Sequence, residues 1–71
     1  MNTESNTQLV VNTPFTLRVG GRGRPVKGQV GEVFTVVGKF DDKFSLARTK
    51  NLTKSWVFTE TQLNDWFVNK A

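Results

Sequence analysis

The sequence predicts an all-β protein, a small antiparallel barrel of four to five strands with a short C-terminal helix or 3₁₀ turn. Its apolar runs are short, turn residues separate them, and no crossover helix lies between two strands. A chain of 71 residues suits one small domain with a marginal core. We assign residues 14 to 71 to that domain and expect residues 1 to 13, which are mostly polar, to form a disordered lead.

The first half of the chain predicts two strands and a long loop between them. Apolar and polar residues alternate over residues 15 to 19, which is typical of a half-buried strand. Residues 20 to 25 are rich in glycine and arginine and predict a basic loop, and residues 30 to 37 are rich in β-branched and aromatic side chains. Within the lead, the apolar run at residues 9 to 11 leaves room for a short edge strand.

The second half predicts two further strands. Residues 38 to 43 contain glycine and aspartate between two strand-like runs, which indicates a turn. A third strand is expected over residues 44 to 49, followed by a polar, basic loop over residues 49 to 54. Residues 56 to 58 predict a short fourth strand.

The C-terminal segment carries local helix signals. Thr59 is placed to cap a helix, with Gln62 at the third helical position, and these two residues form a capping-box pattern. Leu63, Trp66 and Phe67 follow at the spacing of one apolar helix face. These signals favour a helix.

Residues 26 to 36 contain two glycines three residues apart, a valine two residues after the second glycine, and another valine three residues further on. The four matching residues are Gly28, Gly31, Val33 and Val36. The segment resembles a KOW motif, which occurs in NusG-type transcription factors and several ribosomal proteins. The weaker likeness around it covers about residues 15 to 63.

The resemblance implies a five-stranded, SH3-like barrel that binds nucleic acid or protein. It also implies a single 3₁₀ turn at residues 59 to 62 and a closing strand near residues 66 to 68, which is the alternative to the helix. The basic insertion at residues 20 to 24 is longer than the family pattern requires. At Gly28 and Gly31 we expect a side chain to be poorly tolerated, with a positive φ or a close neighbour at one of them at least.

The charge of the chain favours an anionic partner. Its net charge is +4 and its isoelectric point is near 10.0. Residues 18 to 54 hold nine cations and three acids, which is a local excess of six positive charges. The positive charge is therefore concentrated in the predicted barrel.

Two basic loops are the candidate nucleic-acid site, because arginine and lysine side chains on flexible loops can follow a phosphate backbone. The alternative is that these residues are ordinary solvated surface cations. The candidates are Arg18, Arg22, Arg24, Lys27, Arg48, Lys50 and Lys54.

Aromatic residues support an alternative function, a protein-binding module. Such a module would be either a small accessory subunit, or an inhibitor or regulator that docks on a larger protein or complex. Phe40, Trp66 and Phe67 are its candidate anchors, since aromatic residues often dominate interfaces. Phe40 has two further alternatives, stacking on a base or packing back over the end of the barrel, and we favour the packed position. The other aromatic residues, Phe15, Phe34, Trp56 and Phe58, are expected in the core.

Several classes of function are disfavoured by composition. The chain contains no His, Cys or Tyr, so the commonest catalytic bases and nucleophiles, disulfides and ordinary zinc sites are missing. We expect a non-catalytic protein without a metal or cofactor, in which Asp41 and Asp42 are solvated turn residues. No apolar run approaches the length of about 20 residues needed to cross a bilayer, and no secretory pattern opens the chain, so we expect a cytoplasmic protein.

Overall fold

The computed structural model describes residues 1–21 and 23–71. Strands dominate this part of the chain, with one short helix near the C-terminus. The elements are β1 (Gln8–Val11), β2 (Phe15–Leu17), β3 (Val26–Gly28), β4 (Val33–Phe40), β5 (Lys43–Arg48), β6 (Asn51–Thr59), α1 (Glu60–Trp66) and β7 (Phe67–Asn69).

The strands form two antiparallel sheets. Five strands pair in the order β6-β5-β4-β1-β7, and β2 and β3 form a separate two-stranded sheet. The predicted all-β class with a short C-terminal helix is confirmed, but the prediction of a closed barrel is wrong. Within the described residues, β6 and β7 are the two edges of the large sheet and do not pair with each other or with the hairpin.

The two sheets share one apolar core. Phe15 of β2 reaches the rings of the large sheet, with its centroid 5.7 Å from that of Phe58 and 5.3 Å from that of Phe67. Phe34 lies 6.2 Å from Phe15 by the same measure. The predicted core positions of Phe15, Phe34 and Phe58 are confirmed, whereas Trp56 is only partly buried.

The N-terminal strand β1 differs most from expectation. It lies inside the large sheet, between β4 and β7, where Leu9 and Val11 are fully buried. The prediction that residues 1 to 13 form a disordered lead is therefore wrong for Gln8–Val11, and the edge position considered for residues 9 to 11 is also wrong. The run is short and lies among polar residues, so the sequence gives little sign that Leu9 and Val11, which alternate along the strand, both face the core.

The start of β4 lies later than predicted. Residues 30 and 31 form a turn, in which the amide of Glu32 donates to the carbonyl oxygen of Gln29 (3.0 Å). Gly31 has a φ of +96°, and the side chain of Val30 is 63% exposed. The expectation of a positive φ at one of the two motif glycines is confirmed at Gly31. An added Cβ at Gly28 would overlap the ring of Phe15.

Both predicted loops in the second half are shorter than expected. β4 continues to Phe40, so that the turn before β5 consists of residues 41 and 42 alone. The next turn consists of residues 49 and 50, and β6 begins at Asn51, so the predicted loop over residues 49 to 54 is mostly strand. Asn51 pairs with Arg48 and Trp56 pairs with Leu46, so residues 52 to 55 lie where the register between β5 and β6 shifts.

The C-terminus combines the predicted helix with a strand close to that of the alternative, and Glu60–Trp66 is an α-helix instead of a single 3₁₀ turn at residues 59 to 62. The predicted helix is present as α1, and its capping box is complete. The amide of Gln62 donates to Oγ1 of Thr59 (3.2 Å), and the amide of Thr59 donates to Oε1 of Gln62 (2.9 Å). A strand, β7, then begins at Phe67. Within residues 1–21 and 23–71, no helix has the length and apolar character needed to span a membrane.

Candidate nucleic-acid interface

A groove of about 530 Å³ brings the two predicted basic segments together. One wall comes from the loop before β3 and from β3 itself, and the other comes from the end of β5 and from β6. We call it the basic groove. Its lining residues are Val19, Gly23, Arg24, Pro25, Val26, Lys27, Arg48, Lys54 and Trp56.

Arg48 connects the walls of the basic groove. Its Nη2 donates to the carbonyl oxygen of Lys27 (2.6 Å), and its Nε donates to Oε2 of Glu32 (2.9 Å). Its Cζ also lies 5.3 Å from the ring centroids of both Phe34 and Trp56, a distance typical of cation–π contact. The guanidinium is thus held by three segments of the chain at once.

Glu32 is the acidic partner of this cluster. Its carboxylate accepts from Arg48 and from the amide of Gln29 (2.8 Å). Partial burial by itself raises the pKa of Glu32, but the hydrogen bonds from Arg48 and Gln29 and the nearby charges of Arg48 and Lys50 outweigh it. The pKa of Glu32 therefore lies below its ordinary value of 4.5. Near neutral pH the carboxylate is ionised and offsets one positive charge.

Three further cations of the basic groove are exposed. Arg24, Lys27 and Lys54 each have an exposed side chain. Among residues 1–21 and 23–71, the Glu32–Arg48 contact is the single ion pair, so none of these three cations is neutralised by a described carboxylate. Phosphate oxygens are suitable partners for such a group of cations.

A second, smaller groove adjoins the first. It has a volume of about 310 Å³ and is lined by Arg18, Ser55 and Trp56 among others. Val19 and Trp56 line both grooves, so the indole lies where they meet. Arg18 is therefore beside the basic groove.

Another predicted cation, Lys50, does not line the basic groove. Lys50 lies in the turn between β5 and β6 and lines a different concavity of about 460 Å³, together with Val30 and Lys70. Arg48 lines that concavity as well as the basic groove, so Lys50 lies beside the basic groove without lining it. Arg22 lies outside the described residues.

The three candidate protein-binding residues have different surroundings. Phe40 is 49% exposed next to the β4–β5 turn, so the favoured interpretation that it packs back over the core is wrong. Phe67 is fully buried, which leaves it no free surface for a partner. Trp66 is partly buried, and its ring stacks on Phe15 with centroids 4.7 Å apart and planes 4° apart.

Trp56 and Glu32 were not identified as site residues from the sequence. A signal for Trp56 was present, because strand alternation puts Lys54, Trp56 and Phe58 on one face. Because Lys54 precedes Trp56 on that face, the edge of the core is expected between these two residues. For Glu32 no such local signal exists, because its partner Arg48 is 16 residues away.

The described residues contain no group of three or more acidic side chains positioned to hold a metal ion. Comparisons of the chain with protein-family models, with curated proteins and with solved structures found no match.

Proposed function

We propose that this protein is a non-catalytic nucleic-acid-binding module and that the basic groove is its binding site. One observation carries the proposal: cations from two distant parts of the chain, Arg24 with Lys27 and Arg48 with Lys54, line one groove. Clustering of positive charge on one face is the usual electrostatic footprint of nucleic-acid binding. In this proposal, Arg24, Lys27 and Lys54 contact phosphates, and Arg48 keeps the walls of the groove in place.

The KOW resemblance supports the same proposal. Proteins with this motif bind nucleic acid or protein, and the likeness includes residues 26 to 36, which contribute Lys27 to the basic groove. We also propose that the two sheets are related to SH3-like domains, in an open arrangement. The cytoplasmic location expected from the sequence remains part of the proposal.

Salt dependence tests the site, because phosphate contacts release counterions. The double variant Arg24→Gln/Lys54→Gln should weaken binding to a single strand and flatten the log–log salt slope by roughly 1.4, at about 0.7 for each lost contact. The loss should be similar for all sequences, because phosphate contacts position a ligand without specifying it. Affinity is measured by fluorescence anisotropy over a salt series.

The matched control is Lys39→Gln/Lys43→Gln. It lowers the net charge from +4 to +2, as the groove variant does, but changes residues that do not line the basic groove. The control should retain most of the affinity. Equal losses from the two variants would contradict a defined site, because general positive charge would then explain the binding.

A protein-binding module is the second candidate, and one observation favours it. Val57 pairs with Ser45 on the outer face of the sheet, where it is 46% exposed, and Phe40 is exposed on the same sheet. Exposed apolar side chains on a sheet face are suited to a protein partner. A partner that is captured after nuclease digestion and lost with Phe40→Ser would favour this function. Loss of the partner on nuclease digestion would favour the basic groove.

A further inference from the structure

Trp56 is the aromatic residue among the cations of the basic groove, and the core buries only part of its side chain. It lines both adjoining grooves and is only partly buried. The contrast is Trp66, which is stacked face to face on Phe15. Of the two tryptophans, Trp56 is therefore the one available to a ligand of the groove.

We propose that the basic groove binds single-stranded nucleic acid, with an unpaired base stacked against the indole of Trp56. The phosphates on either side of that base contact Arg24, Lys27 and Lys54. This inference rests on the proposed function and deepens it by naming the class of ligand.

The indole is held in place before any ligand arrives. Its ring centroid lies 6.4 Å from that of Phe34 in an edge-to-face arrangement with an interplanar angle of 65°. The guanidinium of Arg48 lies over it and is itself fixed by Glu32 and the carbonyl oxygen of Lys27. A restrained aromatic side chain loses little conformational entropy when a ligand binds, which favours its use as a stacking surface.

Stacking on Trp56 requires a base that is free of its neighbours. In a duplex both faces of each base are covered by adjacent base pairs, whereas bases of a single strand can be splayed onto aromatic side chains. The basic groove has a volume of about 530 Å³, within the range of roughly 300–1,000 Å³ typical of small-ligand sites. It therefore suits a group of nucleotide size.

The test compares strands that share phosphates but differ in bases. The probes are oligothymidylate, an abasic strand of the same length, oligouridylate and a duplex, all measured by anisotropy at one low salt concentration. We expect oligothymidylate to bind more tightly than the abasic strand and the duplex. Trp56→Leu should lower affinity for oligothymidylate by about 5- to 150-fold, which corresponds to 1–3 kcal/mol for one stacked base. Its effect on affinity for the abasic strand should be much smaller, because that strand has no base to stack.

Two control variants separate stacking from folding. Trp56→Phe keeps an aromatic ring and should retain most of the preference for oligothymidylate. Trp66→Phe leaves Trp56 as the single tryptophan, so its fluorescence should be quenched by oligothymidylate and not by the abasic strand. Quenching is a signature of direct stacking that a merely structural role for Trp56 would not produce. Oligouridylate extends the comparison to an RNA strand, which differs from oligothymidylate by the 2′-hydroxyl and by the missing 5-methyl group of the base. It should also bind more tightly than the abasic strand, because its bases are free to stack.

The outcomes distinguish this inference from the proposed function. Equal affinity for oligothymidylate and the abasic strand, with loss in Arg24→Gln/Lys54→Gln, would overturn base stacking and leave phosphate binding intact. Tighter binding of the duplex than of either single strand would also overturn it. Failure to bind any of the four probes would overturn both.

Discussion

Arg48 shows how one side chain can organise a site without being its most accessible charge. Its side chain is 32% exposed and donates hydrogen bonds to Glu32 and to the backbone carbonyl oxygen of Lys27. Arginine suits this position because its planar, rigid guanidinium can donate in several directions and lie on aromatic rings, which the ammonium group of lysine cannot match. We therefore regard Arg48 as a positioning residue of the basic groove and its exposed neighbours as the ligand contacts.

The Glu32–Arg48 pair predicts a pH dependence of stability. Because the pKa of Glu32 in the folded protein lies below 4.5, the unfolded state takes up the proton first as the pH falls. The pair therefore stabilises the fold above pH 4.5, and this contribution is lost as the pH falls through the lowered pKa. Near pH 7 the wild type should exceed Glu32→Gln by about 0.2–1 kcal/mol in urea unfolding. This difference should shrink in acid, and a constant difference would contradict the assignment.

The two motif glycines predict different kinds of destabilisation. Gly31→Val should cost about 1–3 kcal/mol, because a β-branched residue would be forced to a φ of +96°. Gly28→Val should cost about 1–3 kcal/mol or more, because the new side chain would overlap Phe15. The control is Gly20→Ala, where a Cβ would meet nothing within 4 Å. Chemical denaturation measures all three, and valine variants as stable as the wild type would contradict this turn and register.

At the scale of elements, α1 depends on both local and tertiary contributions. A helix of seven residues is too short to be stable alone in water, so the capping box and the burial of Leu63 must support it. The amide of Phe67 closes the other end by donating to the carbonyl oxygen of Leu63. The chain then turns directly into β7, which pairs with β1. The helix therefore connects the two edges of the large sheet, from β6 to β7.

The cap of α1 can be tested separately from its packing. Thr59→Ala should lower the free energy of unfolding by about 1 kcal/mol, because the amide of Gln62 loses its acceptor. Thr59→Ser keeps the hydroxyl and should retain most of that stability. Leu63→Ala, which removes a fully buried side chain, should cost about 2–5 kcal/mol. If Thr59→Ala and Thr59→Ser had the same unfolding midpoint, the hydroxyl would not be the source of the stabilisation.

Elements defined by neighbouring residues were predictable from the sequence, and elements defined by distant partners were not. The capping box and the alternation at Phe15–Leu17 are local patterns, and the helix and the strand that they predict are both present. For β1 the sequence indicates at most a short edge strand, because its four residues are ordered by pairing with β4 and β7, far along the chain. Strand propensity depends strongly on such cross-strand neighbours.

The same division applies to the candidate site. The cations Arg24, Lys27 and Lys54 could be identified as candidate site residues from the distribution of charge along the sequence. Their meeting in one groove depends on how β3 and β6 are placed, which charge patterning does not encode. Trp56 was assigned to the core because aromatic residues usually fill small cores, and only its position at the margin of the sheet makes it accessible.

At the scale of the whole molecule, the basic groove lies between the β2–β3 hairpin and the large sheet, so it forms only when these two parts pack together. The β2–β3 hairpin carries Lys27, and the large sheet carries Arg48 and Lys54. A two-stranded hairpin is marginally stable by itself, so its place depends on packing against the large sheet. Phe15 supplies that packing through ring contacts with Phe34, Phe58, Phe67 and Trp66. Leu17 and Val26 of the hairpin are also buried in the core, so stability and groove geometry are coupled through the packing of the hairpin, in which Phe15 makes the ring contacts.

Substitution of Phe15 tests this coupling. Phe15→Ala should cost about 3–5 kcal/mol, a large part of the stability of a small domain, and Phe15→Leu provides a milder change that keeps the chain folded. In Phe15→Leu, amide hydrogen exchange should accelerate in β2 and β3 more than in β4 and β5, and affinity for oligothymidylate should fall. Thr16→Ala, an exposed change on the same strand, should alter stability by less than about 0.5 kcal/mol. Uniform exchange throughout the protein with unchanged affinity would show that the hairpin does not depend on Phe15 for its place beside the groove.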